Sequence, residues 1–293
     1  MNDSITACHD LVFMCADTGT VVAVTYRGDE RPVLERAVIF PASGRALWVD
    51  PALGGGSPAA LAVRSRGSGG RYGLRLSARA VPVAAPDRPI DDGAATGPSV
   101  PVSIDIAFEQ ASGHLVLESG TAPGERVALA RGAGSVAVGS VIHRVEGSAW
   151  SADGPGAPGD RRARAVFQDG SALFVTAAST GLAAALVHNS RIRAVTVHDF
   201  AVRSAGSERL GRTVSWAAGG PSPAGAAAEI RDPEQRVTAL RPDPSTPGLP
   251  VWSCAPFVFV RSGVTGLGLV ERRTRLTVAA PATEPALELP DPF

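Results

Sequence analysis

The 293-residue chain is long enough for one large or two ordinary domains, and its 44 % hydrophobic content allows a full core. Its 28 basic and 28 acidic residues cancel, which argues against nucleic acid or an anionic membrane as partner. Every basic residue is Arg, so the chain has neither the Lys of a Walker phosphate loop nor the amine of a Schiff-base or pyridoxal phosphate enzyme.

Heavy use of Arg, Ala, Gly and Pro is the composition of a GC-rich genome of actinobacterial type. Cysteine is limited to Cys8, Cys15 and Cys254, with no CxxC spacing. Scattered thiols in odd number fit a reducing cytoplasm better than a disulfide framework. The opening MNDSITACHDLVF lacks a basic stretch before its apolar residues, so no signal peptide is expected. No uninterrupted run of about 18 apolar residues suggests a transmembrane helix.

Taken in order, almost every patterned stretch predicts a strand. Leu11 to Ala16 and Thr20 to Tyr26 flank Asp17-Thr18-Gly19, a hairpin signal. Arg36 to Phe40, Arg45 to Val49, Ala59 to Arg66 and Arg71 to Val83 follow, separated by Gly, Ser and Pro turns. A Pro-rich loop over 85–99 precedes Pro101 to Glu109, His114 to Glu118 and Arg126 to Ala130. Gly132 reads as a break, after which Ser135 to Glu146 opens a second set. That set continues through Arg162 to Gln168, Ala172 to Ala177, Leu182 to His188, Arg191 to Arg203, Glu208 to Ala217, Ala226 to Arg231 and Arg236 to Leu240. It closes with the hairpin Val251 to Arg261 and Thr265 to Val278. Residues 150–161 read as a Gly/Pro-rich loop. In the stretch 192–202 both alternating sets are largely apolar, which predicts a strand covered on both sides. The fold class expected is all-β, with two antiparallel barrels in tandem: 1–131, 132–280, and a mobile tail over 281–293.

No GxSxG, HExxH or zinc-finger spacing is present, so no metal and no cofactor are expected. His9, His114, His143, His188 and His198 are scattered. His198-Asp199 is not a dyad, because neighbours on a strand point to opposite faces. His198 is either a hydrogen-bonded core histidine or a donor to a substrate, and His143, between Val141 and Val145, has the same two readings. Trp48, Trp150, Trp216 and Trp252 stand near strand ends, where a barrel mouth would let each wall an apolar ligand or simply pack. Tyr72 follows a Gly-rich turn and either presents its hydroxyl to a cleft or lies on a hairpin surface. Glu271 shares a strand face with Leu267, Leu269 and Arg273. It is either a carboxylate paired with Arg273 or an acid at the rim of an apolar cavity.

Gly266-Leu267-Gly268-Leu269-Val270-Glu271 resembles the closing strand of the lipocalin-like superfamily that includes carotenoid hydratases and natural-product cyclases. Asp10-Leu11-Val12-Phe13 with Asp17-Thr18-Gly19 resembles its opening hairpin, Val102 to Glu109 its mid-chain strand, and Val145 to Trp150 its Trp-containing motif. The resemblance implies tandem calycin barrels and a hydrophobic small-molecule partner. The activity it implies is a cyclase of secondary metabolism, such as a Diels–Alderase acting on a linear polyketide-like chain. A hydratase or isomerase using Glu271 as acid, with His198 as a second candidate, and a non-catalytic carrier are the rival expectations.

Overall fold

The computed structural model describes residues 8–49, 59–65, 70–83, 98–118, 124–154, 161–178, 181–203, 213–219, 226–231, 235, 237–240 and 249–276. The expected tail over 281–293 lies outside them, as do the side chains of His198, Trp216 and Arg273.

The first sheet contains β1 (Cys8–Cys15), β2 (Thr20–Arg27), β3 (Val33–Phe40), β4 (Leu47–Val49), β5 (Ala60–Ser65), β6 (Arg71–Pro82), β7 (Val100–Gln110), β8 (Leu115–Leu117), β9 (Glu125–Val138) and β10 (Val141–Gly154). The second contains β11 (Arg161–Phe167), β12 (Ala172–Ala178), β13 (Gly181–His188), β14 (Arg191–Arg203), β15 (Thr213–Gly219), β16 (Ala226–Ile230), β17 (Val237–Leu240), β18 (Leu249–Arg261) and β19 (Val264–Leu276). No α-helix occurs among the described residues, and therefore none long and apolar enough to cross a membrane.

Each sheet closes on itself, and all strand pairs are antiparallel. In the first, β10 pairs with both β1 and β9, completing a ring through β2, β3, β4, β6 and β7, with β5 and β8 added at its side. In the second, β16 pairs with β18, and the ring runs through β19, β11, β12, β13, β14 and β15. Closure removes the exposed sheet edges that invite further pairing.

The period-2 pattern sorts side chains into three cores. β7 is the plainest case: Val102, Ile104, Ile106 and Phe108 are buried while Ser103, Asp105, Ala107 and Glu109 are exposed. On β1, Leu11, Phe13 and Cys15 fill the first barrel, whereas Val12 and Met14 join a core shared with the second barrel. On β19, Val270 fills the second barrel, whereas Leu267 and Leu269 face that same shared core. The barrels are thus packed wall to wall.

The change of sheet falls at 155–160, not near residue 131. β9 runs unbroken through Gly132 and Gly134, which serve close packing rather than a break. A Cβ on Gly132 would lie 2.7 Å from Phe108 Cε1, and one on Gly134 would collide with the Asp105 carbonyl of β7. The stretch expected as one strand over 135–146 is a hairpin turning at Gly139, whose φ of +60° suits glycine. The expected loop from residue 150 is strand as far as Gly154. The first half of β14 is not covered on both sides: Ala194 and Thr196 are exposed.

Candidate functional site

A cavity of about 240 Å³ opens at one end of the first barrel, where β1, β2, β6, β7 and β10 start or stop. Leu11 and Val63 give it apolar walls, and its polar lining includes His9, Tyr26, Tyr72, Gln110, His114 and Asp153.

Strand register builds the first cluster. His9 on β1 lies opposite Tyr26 on β2 and opposite Asp153 on β10, so the three form one row across neighbouring strands. The His9 and Tyr26 rings stack at 4.8 Å. His9 Nδ1 sits 2.8 Å from Asp153 Oδ1. Asp29, from the turn between β2 and β3, brings Oδ1 to 2.8 Å from His9 Nε2. That contact is an ion pair off the line of the N–H bond, because Nε2 has no hydrogen-bond partner among the described residues. The hydrogen bond with Asp153 raises the His9 pKa above 6.5; burial opposes this, and the charges of Asp153 and Asp29 add to it.

The second cluster stands on β6 and β7. Tyr72 lies opposite Phe108, and their rings stack at 4.9 Å. The Tyr72 hydroxyl is buried and has no hydrogen-bond partner among the described residues. Burial first, then nearby Tyr26 and Asp153, push its pKa up, so it stays a neutral donor. His114 stands in the β7–β8 connection. There Gln110 Nε2 donates to the Ser112 carbonyl at 2.6 Å and the Leu129 amide donates to Ser112 Oγ at 3.0 Å. Burial and the charge of Arg126 push the His114 pKa below 6.5, while Asp153 pulls the other way. The site therefore sets a histidine of raised pKa, a histidine of lowered pKa and a phenol with no hydrogen-bond partner among the described residues around one space.

Of the residues singled out in the sequence, Tyr72 lies in this cavity. Glu271 does not: it faces the shared core between the barrels. Its partner is Arg164 on β11, whose Nη1 donates to Glu271 Oε2 at 2.6 Å, rather than the expected Arg273. Arg164 Nη2 also donates to Asp10 Oδ2. Arg162 Nη1 reaches the same oxygen at 2.9 Å, and Arg162 Nη2 bonds Glu125. Burial alone would raise the Asp10 pKa, but Arg164, Arg162 and Arg36 outweigh it and hold the carboxyl well below the ordinary carboxylate range.

Trp48, Trp150 and Trp252 are buried between the barrels, not at a mouth. Trp252 Nε1 donates to Glu271 Oε1 at 3.2 Å, and its ring lies 5.7 Å from Trp48 and under the Arg36 guanidinium at 4.4 Å. Trp150 Nε1 donates to the Ala165 carbonyl at 3.3 Å. His143 is no core histidine; it is exposed beside the β9–β10 turn. For His198 and Trp216 the strand positions on β14 and β15 are described, not the side chains. His9, Tyr26, Asp29, His114 and Asp153 were not singled out as site residues. His9 and Asp153 are 144 residues apart, and no local spacing links them. Among the described residues no group of three or more His, Cys, Asp or Glu is placed to hold a metal ion.

These features define an all-β protein of two antiparallel barrels in tandem, with a cavity at one end of the first barrel. No family model and no curated protein matches the sequence. Among solved structures, a protein provisionally assigned as AttH from Nitrosomonas europaea is similar over 94 % of this chain and 93 % of its own, with a TM-score of 0.51 and 14 % identity. CghA bound to Sch210972 matches over 93 % of this chain and 89 % of its own, at 14 % identity and a TM-score of 0.48. Kievitone hydratase from Nectria haematococca matches over the same shares, at 12 % identity and a TM-score of 0.43. The likeness is one of fold.

Proposed function

We propose that the protein is a cyclase that folds a linear, polyketide-like, carbonyl-bearing chain into a reactive conformer in the mouth of the first barrel. The observation that carries this reading is the Tyr72 hydroxyl, buried, unpartnered among the described residues and lining an apolar-walled cavity. A buried donor without an acceptor costs stability on the order of 1–3 kcal/mol, and a substrate carbonyl would satisfy it. Its hydrogen bond would draw electron density toward that oxygen as the ring forms. Holding the chain in a near-attack shape supplies the rest of the acceleration without a covalent nucleophile. At about 240 Å³ the cavity lies just below the roughly 300–1,000 Å³ usual for ligand sites, so it holds the carbonyl-bearing segment and leaves the remaining chain outside.

Hydration or dehydration of a polyene is the second reading, favoured by His9, whose pKa Asp153 and Asp29 raise. We place both readings in the cytoplasm, where the unbridged, buried thiols of Cys15 and Cys254 would persist. The test is incubation with linear polyenes that carry a conjugated ketone. A cyclase returns an isomer of unchanged mass, a hydratase shifts the mass by one water, and a carrier returns its ligand unaltered. The cyclase reading expects an isomer, formed at least tenfold more slowly by Tyr72→Phe.

A further inference from the structure

We infer that His114 and His9 act as base and acid on one substrate in this cavity, and that the substrate carries an enolisable carbonyl. The inference rests on the cavity being a small-molecule site and adds a reaction to it.

Both imidazoles line the same space, His9 from β1 and His114 from the β7–β8 connection. Their surroundings are opposite in character. His9 has a carboxylate at each ring nitrogen, Asp153 at Nδ1 and Asp29 at Nε2, with the Tyr26 ring stacked on it. The Nε2–H is buried, lies off the line to Asp29 and has no hydrogen-bond acceptor among the described residues. His114 is exposed and feels the positive charge of Arg126 of β9, with the Asp153 carboxylate acting in the opposite sense. The remaining charged lining is engaged elsewhere: Asp10 accepts from Thr25, Arg162 and Arg164, and Arg71 pairs with Glu109 at 3.0 Å. The two environments push the histidine pKa values apart, upward for His9 and downward for His114. Titratable groups separated in this way divide into acid and base near neutral pH.

The step balances as follows. The unprotonated imidazole nitrogen of His114 takes a proton from the carbon next to the carbonyl. The electron pair of that C–H bond becomes a C=C bond, and the carbonyl π pair moves onto oxygen. His9 Nε2 gives its proton to that oxygen, and Tyr72 donates a hydrogen bond to it. The product is a neutral enol, with His114 protonated and His9 neutral; solvent at the open mouth resets the pair. From a conjugated ketone the enol is an electron-rich diene, the form that a ring closure consumes.

The test uses the full-length protein and 1-tetralone in D₂O, with deuterium entry beside the carbonyl followed by NMR and binding measured in parallel by calorimetry. The expected result is exchange faster than in buffer, with a bell-shaped pH profile. His114→Gln should remove the rise on the acid side and His9→Gln the fall on the alkaline side. Each should slow exchange by roughly 10²–10⁴-fold with binding kept within a few-fold. His114 is exposed, so its variant keeps the test open should the His9 variant fail to fold. Binding with no exchange above buffer, or exchange indifferent to both substitutions, overturns the inference and leaves the cavity as a ligand site. Absence of 1-tetralone binding removes that site, and the inference with it.

Discussion

Arg164 Nη1 donates to Glu271 Oε2 at 2.6 Å, although strand register sets Arg162, not Arg164, opposite Glu271. The bond runs diagonally from β11 to β19 and leaves Arg162 to reach Glu125 and Asp10 in the first barrel. Arg164 also bonds Asp10, so it bridges the two barrels. Three carboxylates, Asp10, Glu125 and Glu271, thus meet Arg162 and Arg164 with Arg36 close by. Removing one member leaves buried charge uncompensated. Arg164→Met is expected to lower stability by about 3–5 kcal/mol in denaturant unfolding, a loss typical of broken buried pairs. Glu271→Gln should also lower stability while ligand binding in the first-barrel cavity stays within a few-fold. A selective loss of turnover with unchanged stability would return Glu271 to the role of an acid.

The same network sets the acid limb of stability. Asp10 has a folded pKa held below its unfolded value. Its contribution is therefore complete above an unfolded pKa of about 3.9 and is lost as pH falls toward the folded value. Glu125 works in the opposite sense: burial raises its folded pKa despite Arg162 and Arg164, so protonation relieves a cost. The net expectation is destabilisation below about pH 4, led by Asp10. Unfolding midpoints of wild type and Asp10→Asn between pH 7 and pH 3 check it. The variant should start lower at neutral pH and show a flatter acid limb.

His9 gives a second pH signature, of opposite sign. Its folded pKa is raised above 6.5, so the stability from its contacts with Asp153 and Asp29 is complete below pH 6.5 and is lost as pH rises through the raised value. NMR titration of the imidazole protons should find His9 above 6.5 and His114 below it. Both resonances titrating together at the ordinary value would contradict the cavity electrostatics.

Much of the fold was legible because half-covered strands announce themselves. Val102, Ile104, Ile106 and Phe108 alternate with exposed partners, and the strand expected over 101–109 is β7 at Val100–Gln110. What failed were signals with two physical meanings. Gly132 reads as a break, whereas it and Gly134 let β7 and β9 approach where a Cβ would clash. Leu267 and Leu269 sit on one face with Glu271, but alternation cannot say whether that face is a lumen or a wall against a second barrel. For the same reason strand position left Trp48, Trp150 and Trp252 open between walling a ligand and packing, and all three are buried between the barrels. The cavity was legible only at Tyr72. Its His9–Asp153 pair is created by closure of β10 onto β1, a long-range event with no local trace.

Gly134 offers a sharp check on barrel closure. An added Cβ would meet the Asp105 carbonyl of β7, which is backbone and has little room to give. Gly134→Ala is expected to reduce the yield of folded protein severely, whereas Gly139→Ala meets no atom within 4 Å and costs only the strain of a positive φ. Equal stability of the two variants would contradict the β7–β9 packing.

The most direct measurement is a crystal structure of the full-length protein soaked with an apolar ketone such as 1-tetralone. The account predicts the ligand in the first-barrel mouth, its oxygen within hydrogen-bond distance of Tyr72 Oη and His9 Nε2. Occupancy between the barrels beside Trp48 and Trp252, or in the second barrel, with the mouth empty, would contradict it.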